Sequence, residues 1–274
     1  MKVCIPSKNR ATSIKTHLFF KPKDVLIFVE PQEIQKYKIF WPEYEIVDIK
    51  KNEQGLPYVR NFIIDNVFED KILMCDDDIS YIGVRNKHGR YNDLKFNADE
   101  FISDIEKTLE ENWGYGIPTD SFAFLQNQST NQQRFFKNTK HMCGMHGLNL
   151  KELKTNNIRY DNNQMFFSAE DVDITAQILL NGGDICMDYM YALKHDVRTP
   201  GGLDKFRKET HYSLDLSVRA GVEMLSKKYG SEFVRVMRDK DGYCKSFRLD
   251  FDLLLKKKDV VLYNIDIYKK TCMI

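Results

Sequence analysis

Three consecutive carboxylates, Asp76-Asp77-Asp78, follow the apolar run Ile72-Leu73-Met74-Cys75 and precede Ile79-Ser80. A buried strand that ends in three acids gathers negative charge where desolvation and mutual repulsion both penalise it, unless something positive lies among them. A hard divalent cation with oxygen ligands meets that need, and it brings a substrate's phosphates with it. Side-chain alternation sends Asp76 and Asp78 to one side and Asp77 to the other. The pattern therefore points to a phosphate-carrying substrate held at the carboxyl edge of a sheet.

Three further groups carry plausible chemistry. Glu170-Asp171 and Asp173 form a second carboxylate cluster at the start of a helix. Acids are common in a first helical turn, but one of them could also serve as a general base, taking a proton from an incoming hydroxyl while Mg2+ or Mn2+ neutralises a departing phosphate. His195 follows a strand and is placed to complete the metal's coordination. Ser7-Lys8-Asn9-Arg10 offers cations with hydroxyl and amide donors at a predicted helix N-terminus, which suits a phosphate or a nucleotide base; the simpler role for Ser7 is an N-cap. Arg60 could bring a guanidinium to the same edge. No glycine-rich stretch precedes Lys8, so this is not a P-loop.

The elements that must position these groups alternate. Strands are predicted at Val3–Pro6, Val25–Val29, Glu45–Ile49 and Ile72–Cys75, with helices at Ala11–Phe19, Glu33–Phe40 and Tyr58–Phe68 between them. Such a β-α-β-α-β-α-β order makes a mainly parallel sheet with helices on its faces, and open parallel sheets bind ligands outside the carboxyl ends of their strands. Ser7–Arg10, Glu30, Asp76–Asp78 and Lys194–Asp196 all fall at such ends. Further on, the sequence reads as a loop or hairpin over 81–95, an amphipathic helix Ala98–Asn112, and a strand Ser121–Leu125 followed by the Gln/Asn-rich loop Gln126–Gln133. The glycines of Cys143–Leu150 imply a turn or close backbone approach. A helix Val172–Leu180 and strands Ile185–Met187 and Tyr189–Leu193 come next, and a helical, basic region with Ser213–Tyr229 as its clearest helix closes the chain.

The 274 residues suffice for a large α/β domain over 1–200 with a basic extension over 201–274, expected to pack on it and face the acceptor. The formal charge of +1 conceals an asymmetry. Residues 1–193 hold 23 Lys+Arg against 28 Asp+Glu, whereas 194–274 hold 18 against 12. Lys205, Arg207, Lys208, Arg235 and Arg238 belong to that basic excess, which suits a solvated surface or a polyanion such as DNA. The six cysteines lack paired spacing and read as reduced thiols of a cytoplasmic protein; no run is long and apolar enough for a membrane span or a signal peptide.

Val3-Cys4-Ile5-Pro6-Ser7-Lys8-Asn9-Arg10, Gln54–Asn61, Met74–Asp78, Ser168–Asp173 and Leu193-Lys194-His195, in that order, resemble the GT-A-type nucleotide-sugar glycosyltransferases. The resemblance covers roughly residues 1–200. It implies a GT-A-like sheet, Mn2+ or Mg2+ held by Asp76, Asp78 and His195, Asp171 as the base of an inverting transfer, and Glu170 orienting a sugar. It also implies that Pro6, Ser7, Asn9, Arg10, Glu30, Arg60, Asp76 and Asp77 surround the nucleotide sugar. The compact size and basic C-terminal third are similar to small phage enzymes that glycosylate modified DNA bases. For those the donor would be UDP-glucose and the acceptor a sugar hydroxyl on glucosylated hydroxymethylcytosine in double-stranded DNA, inside a host cytoplasm. Other acceptors (a polysaccharide, a lipid-linked sugar or a protein) remain open, as does nucleotidyl transfer, which uses similar strand-end acids. A non-enzymatic DNA-binding module would leave the acidic triplet facing a polyanion.

Overall fold

The computed structural model describes residues 1–119, 133–138, 140–162, 169–196 and 214–272. The predicted strand Ser121–Leu125, nearly all of the Gln/Asn-rich loop, and Lys205, Arg207 and Lys208 lie outside these residues.

Strands β1 (Lys2–Pro6), β2 (Val25–Val29), β3 (Glu45–Asp48) and β4 (Lys71–Cys75) are separated by helices α1 (Ile34–Phe40) and α2 (Gly55–Asn66). The apolar interiors of β1, β2 and β4 are buried on both faces, as a helix-covered parallel sheet requires, while β3 at the sheet edge is only partly buried. After them come the hairpin β5 (Ile79–Arg85) and β6 (Tyr91–Asn92), helix α3 (Ala98–Glu111), and short strands β7 (Gly114–Gly116) and β8 (Phe135–Lys137). Then follow β9 (Met145–Asn149), α4 (Leu150–Thr155), α5 (Glu170–Leu180), β10 (Ile185–Asp188) and β11 (Tyr191–His195). The C-terminal region holds α6 (Leu214–Tyr229), the hairpin β12 (Val234–Arg238) and β13 (Cys244–Leu249), α7 (Phe251–Lys256) and α8 (Lys258–Cys272).

The main sheet has the order β3-β2-β1-β4-β9-β7-β10-β8. β1 to β4 are mutually parallel, β7 and β10 share their direction, and β9 and β8 run against them. A mostly parallel sheet between helical layers is thus present. A second sheet, β11-β5-β6, stands beside the carboxyl edge, and β12-β13 forms a third.

Two local expectations differ from the structure, and a third is narrowed by it. Ala11–Phe19 is not one helix: a turn leads to a 3-10 segment at Thr16–Phe19. The amides of Lys15 and Thr16 point at the Asp77 carbonyl (3.0 and 3.5 Å), and the Thr16 hydroxyl donates to the Asp76 carbonyl at 2.5 Å. Long-range bonds to the acidic turn therefore take the groups a helix would have used, in a stretch rich in Ser and Thr that compete for backbone partners anyway. Of the turn or close approach expected at the glycines near 144–147, the structure shows the close approach: Met145–Asn149 is a central antiparallel strand, and a Cβ on Gly147 would come within 2.8 Å of Ile105. The basic C-terminal region adds a β-hairpin to its helices. Its apolar residues Leu225, Tyr229, Phe233, Leu254 and Val261 join the same core as α5 and β10. No helix among the described residues is long and apolar enough to cross a membrane. The cysteines Cys4, Cys75, Cys143, Cys186 and Cys244 are all free.

Candidate active site

The topology explains why distant residues meet. β4 delivers Asp76–Asp78 at its carboxyl end, beside the ends of β1 and β2. Because β9 runs against β4, with Cys75 opposite Met145, the start of β9 lies at the same place. The Asp76 amide donates to the Gly144 carbonyl at 2.6 Å. β11 is antiparallel to β5 and ends with His195 opposite Ile79, after a register shift at Lys194. His195 therefore arrives beside Asp78, with its Nδ1 3.0 Å from Asp78 Oδ1.

Ligand atoms of Asp76, Asp78 and His195 all lie within 4.8 Å of one another. Two carboxylates and an imidazole suit Mn2+ or Mg2+. Gly144 supports the fit. It has φ +65°, and a Cβ there would come within 2.5 Å of His195 Nε2 and 3.9 Å of Asp76 Oδ2, so the missing side chain keeps this space clear. Burial opposes ionisation of Asp78, yet the bond from His195 and the charge of Arg10 hold its carboxyl below the ordinary value. Burial pushes Asp76 up to about 6, against the pull of Arg60.

Asp77 faces the other way. It accepts from Ser7 Oγ at 2.5 Å and from the Arg10 guanidinium, which also reaches Asp78 Oδ2 at 3.2 Å. The Tyr37 hydroxyl on α1 binds Ser7 Oγ at 2.7 Å and accepts the Arg10 amide at 3.1 Å. Asn9, at φ +57°, donates its amide to Glu33 Oε1 at 2.8 Å. Glu30 accepts from Lys8, Gln32 and the Glu53 amide, each at 2.9 Å. Pro6 closes β1 opposite Phe28. Ser7, Asn9, Arg10 and Glu30 thus form one rim, which Tyr37 and Glu33 organise. Neither of those two carried a signal in the sequence beyond ordinary helix residues.

Arg60 occupies the centre. α2 carries it beneath the acids, 1 % exposed, where Nη2 lies 3.1 Å from Asp76 Oδ1 and Nη1 lies 2.6 Å from Asp171 Oδ1 and 3.6 Å from Glu170 Oε1. Its guanidinium carbon also stands 5.2 Å from the centroid of the Tyr160 ring. Glu170 keeps one buried oxygen, Oε2, without a hydrogen-bond partner. Burial, followed by the charge of Asp171, raises the Glu170 carboxyl well above the usual carboxylate range despite Arg60. Burial thus favours the protonated form of Glu170, while Asp171 is the carboxylate nearer to Arg60.

In the C-terminal hairpin, Arg235 pairs with Asp250 at 2.5 Å, and Arg238 donates to the Gly242 carbonyl at 3.0 Å. Arg248, unnoticed in the sequence, stands directly across the hairpin from Arg235. Lys140 is held below its ordinary value by burial and then by the charge of Arg248.

The fold is of the GT-A-like α/β kind. The chain belongs to the TET-associated glycosyltransferase family, whose model matches residues 1–202. Among solved structures it is similar to S. aureus TarS 1–349 in complex with UDP-GlcNAc, at TM-score 0.50 and 17% identity over 82% of this chain and 67% of that one. The complex of the same protein with UDP gives TM-score 0.49 and 17% identity over 70% of this chain, which spans 59% of that TarS chain. GalNAc-T7 with UDP, GalNAc and Mn2+ gives TM-score 0.48 and 10% identity over 71% of this chain and 43% of that one. No curated protein matches the sequence.

Proposed function

We propose that this chain moves a glycosyl group from a nucleotide diphosphosugar, UDP-glucose in the first instance, to a hydroxyl on a modified base in double-stranded DNA, with inversion at the anomeric carbon. The observation that carries the transfer reading is the double engagement of Arg60. One buried guanidinium holds Asp76 of the metal set and Asp171 of the opposing helix, so a leaving-group site and a base face each other across a fixed spacing.

Asp76, Asp78 and His195 would hold Mn2+ or Mg2+, which when bound neutralises the diphosphate of the donor. Ser7, Asn9, Arg10 and Glu30 line the side where the nucleoside would lie. Asp171 accepts the proton of the acceptor hydroxyl as its oxygen bonds to the anomeric carbon. The bond from that carbon to the phosphate oxygen breaks, and the nucleoside diphosphate leaves with the electron pair. Protonated Glu170 donates a hydrogen bond to a sugar hydroxyl from its unpartnered oxygen. A nucleotidyltransferase would leave the Glu170–Asp171 pair without a task.

The acceptor reading rests on charge and on the family. Arg235, Arg238 and Arg248 project from a hairpin seated against α6, and the family's name ties it to TET, in keeping with a modified-DNA acceptor. The deciding assay incubates labelled UDP-glucose with glucosylated hydroxymethylcytosine DNA, unmodified DNA and a simple glucoside. Label is expected in the modified DNA alone. Label in the simple glucoside alone would remove DNA as acceptor. Asp171→Asn should keep donor binding and lose turnover by about 10²- to 10⁴-fold; near-normal turnover would move the base elsewhere.

A further inference from the structure

The first turn of α5 carries Glu170 and Asp171, and its N-cap makes no side-chain capping bond. That N-cap is Ala169, which has no side chain able to cap. A helix end without a cap frays unless tertiary contacts hold it. Arg60 of α2 holds Asp171 and Glu170 from one side; on the other side the contacts come from the C-terminal region. Asp173, two residues beyond Asp171, is completely buried. It accepts from Tyr229 Oη at 2.6 Å, from Lys228 Nζ at 2.7 Å and from Gln177 Nε2 at 2.8 Å. An acid in a first helical turn ordinarily faces solvent or the helix amides; this one is turned inward to a lysine and a tyrosine from the last turn of α6.

The same lysine reaches further. Lys228 Nζ lies 3.6 Å from Asp161 Oδ2, which accepts from Tyr268 Oη of α8 at 3.0 Å. The ammonium also stands 5.6 and 5.8 Å from the ring centroids of Tyr229 and Tyr268. Asp161 and Asp173 thus both meet Lys228 of α6, and Tyr268 of α8 holds Asp161. α6 closes the gap at the helix start as well: a Cβ on Gly221 would come within 3.2 Å of the Ala169 Cβ.

We infer that Lys228 and Tyr229 are positioning residues, which set the reach of the Asp171 carboxylate through Asp173, and that the C-terminal region is part of the catalytic apparatus as a brace. The inference rests on Asp171 as the base. It gives the last third of the chain a task that is independent of its charge.

The test uses the full chain carrying Tyr229→Phe, with Lys228→Met as the stronger variant. Tyr229→Phe removes one hydrogen bond and keeps the ring. It should lower kcat about ten- to a hundredfold, because small misplacements of a reacting group are costly, and leave the KM for the nucleotide sugar within about twofold. Amide exchange at residues 173–176 should quicken by about tenfold or more while α3 is unaffected. Unaltered exchange there in both variants overturns the brace. So does a change in KM alone. A wild-type chain without transfer activity would sink the glycosyl-transfer reading instead, and the exchange measurement would still decide whether α6 holds α5.

Discussion

Arg60 and Asp171 are joined by a 2.6 Å ion pair beneath the acidic turn, and the same guanidinium holds Asp76 at 3.1 Å. Removing one member of a buried charge set leaves the others uncompensated, at about 3–5 kcal/mol. Arg60→Met should therefore be strongly destabilised at pH 8. Without the cation the Glu170 carboxyl, already raised, rises further. A group whose folded pKa exceeds its unfolded value stabilises at low pH and loses that contribution as pH climbs through the folded pKa. The melting temperature of Arg60→Met should accordingly increase as pH falls from 8 to 6. A variant that melts like the wild type across that range would mean the carboxylates do not depend on Arg60.

Gly144 provides a separate handle on the metal set. With φ +65° and a would-be Cβ 2.5 Å from His195 Nε2, alanine must displace the imidazole or the β9 entry. Gly144→Ala should cost about 1 kcal/mol of stability from the left-handed backbone. It should also weaken Mn2+ binding, measured by titration, by about tenfold or more, the usual scale when a ligand's placement is disturbed. Unchanged Mn2+ affinity would show that His195 is not a ligand.

Much of this was legible in the sequence. Strand-end chemistry marked Asp76–Asp78, Ser7–Arg10 and Glu30, because apolar runs that stop at polar clusters have a local pattern. The sequence puts His195 at a strand end near the acids, but the pairing of β11 with β5 that brings it beside Asp78 has no local signal. Arg60 was expected near the edge; that it lies under the acids, shared among three of them, depends on contacts across 16 and 111 positions of sequence. Tyr37, Glu33 and the Asp173–Lys228 pairing carry no such local signal for the same reason. Each acts through a partner that only the folded sheet brings near. The false helix at Ala11–Phe19 is the converse, a local pattern overridden by the Asp76 and Asp77 carbonyls.

His17 gives the fold a defined acid limit. It is fully buried, with ring centroids 4.1 Å from Trp41 and 4.8 Å from Tyr44, and neither ring nitrogen has a hydrogen-bond partner. Burial lowers its pKa to about 4 from an unfolded value near 6.5. A depressed pKa means the unfolded chain takes up the proton first, so this stability is complete above pH 6.5 and drains away as pH falls toward 4, to about 3 kcal/mol. His17→Phe should flatten the loss of melting temperature between pH 6.5 and 4. An unchanged acid limb would assign the loss to other groups, such as buried His146, whose pKa burial also lowers to about 4.

Arg248 tests the acceptor. It lies across from Arg235, a like-charge pairing that costs a hairpin stability unless an anion intervenes, and Asp250 answers only Arg235. Lys140 feels the charge of Arg248 as well. If a DNA phosphate crosses this face, Arg248→Ala removes one counterion-releasing contact. The slope of log affinity against log salt should then become shallower by about 0.9, with weaker binding at low salt. Binding of UDP-glucose should be unchanged. Fluorescence anisotropy with modified and unmodified duplexes reads both quantities. An unaltered slope with both duplexes would place the acceptor elsewhere and leave the hairpin's charges to solvent.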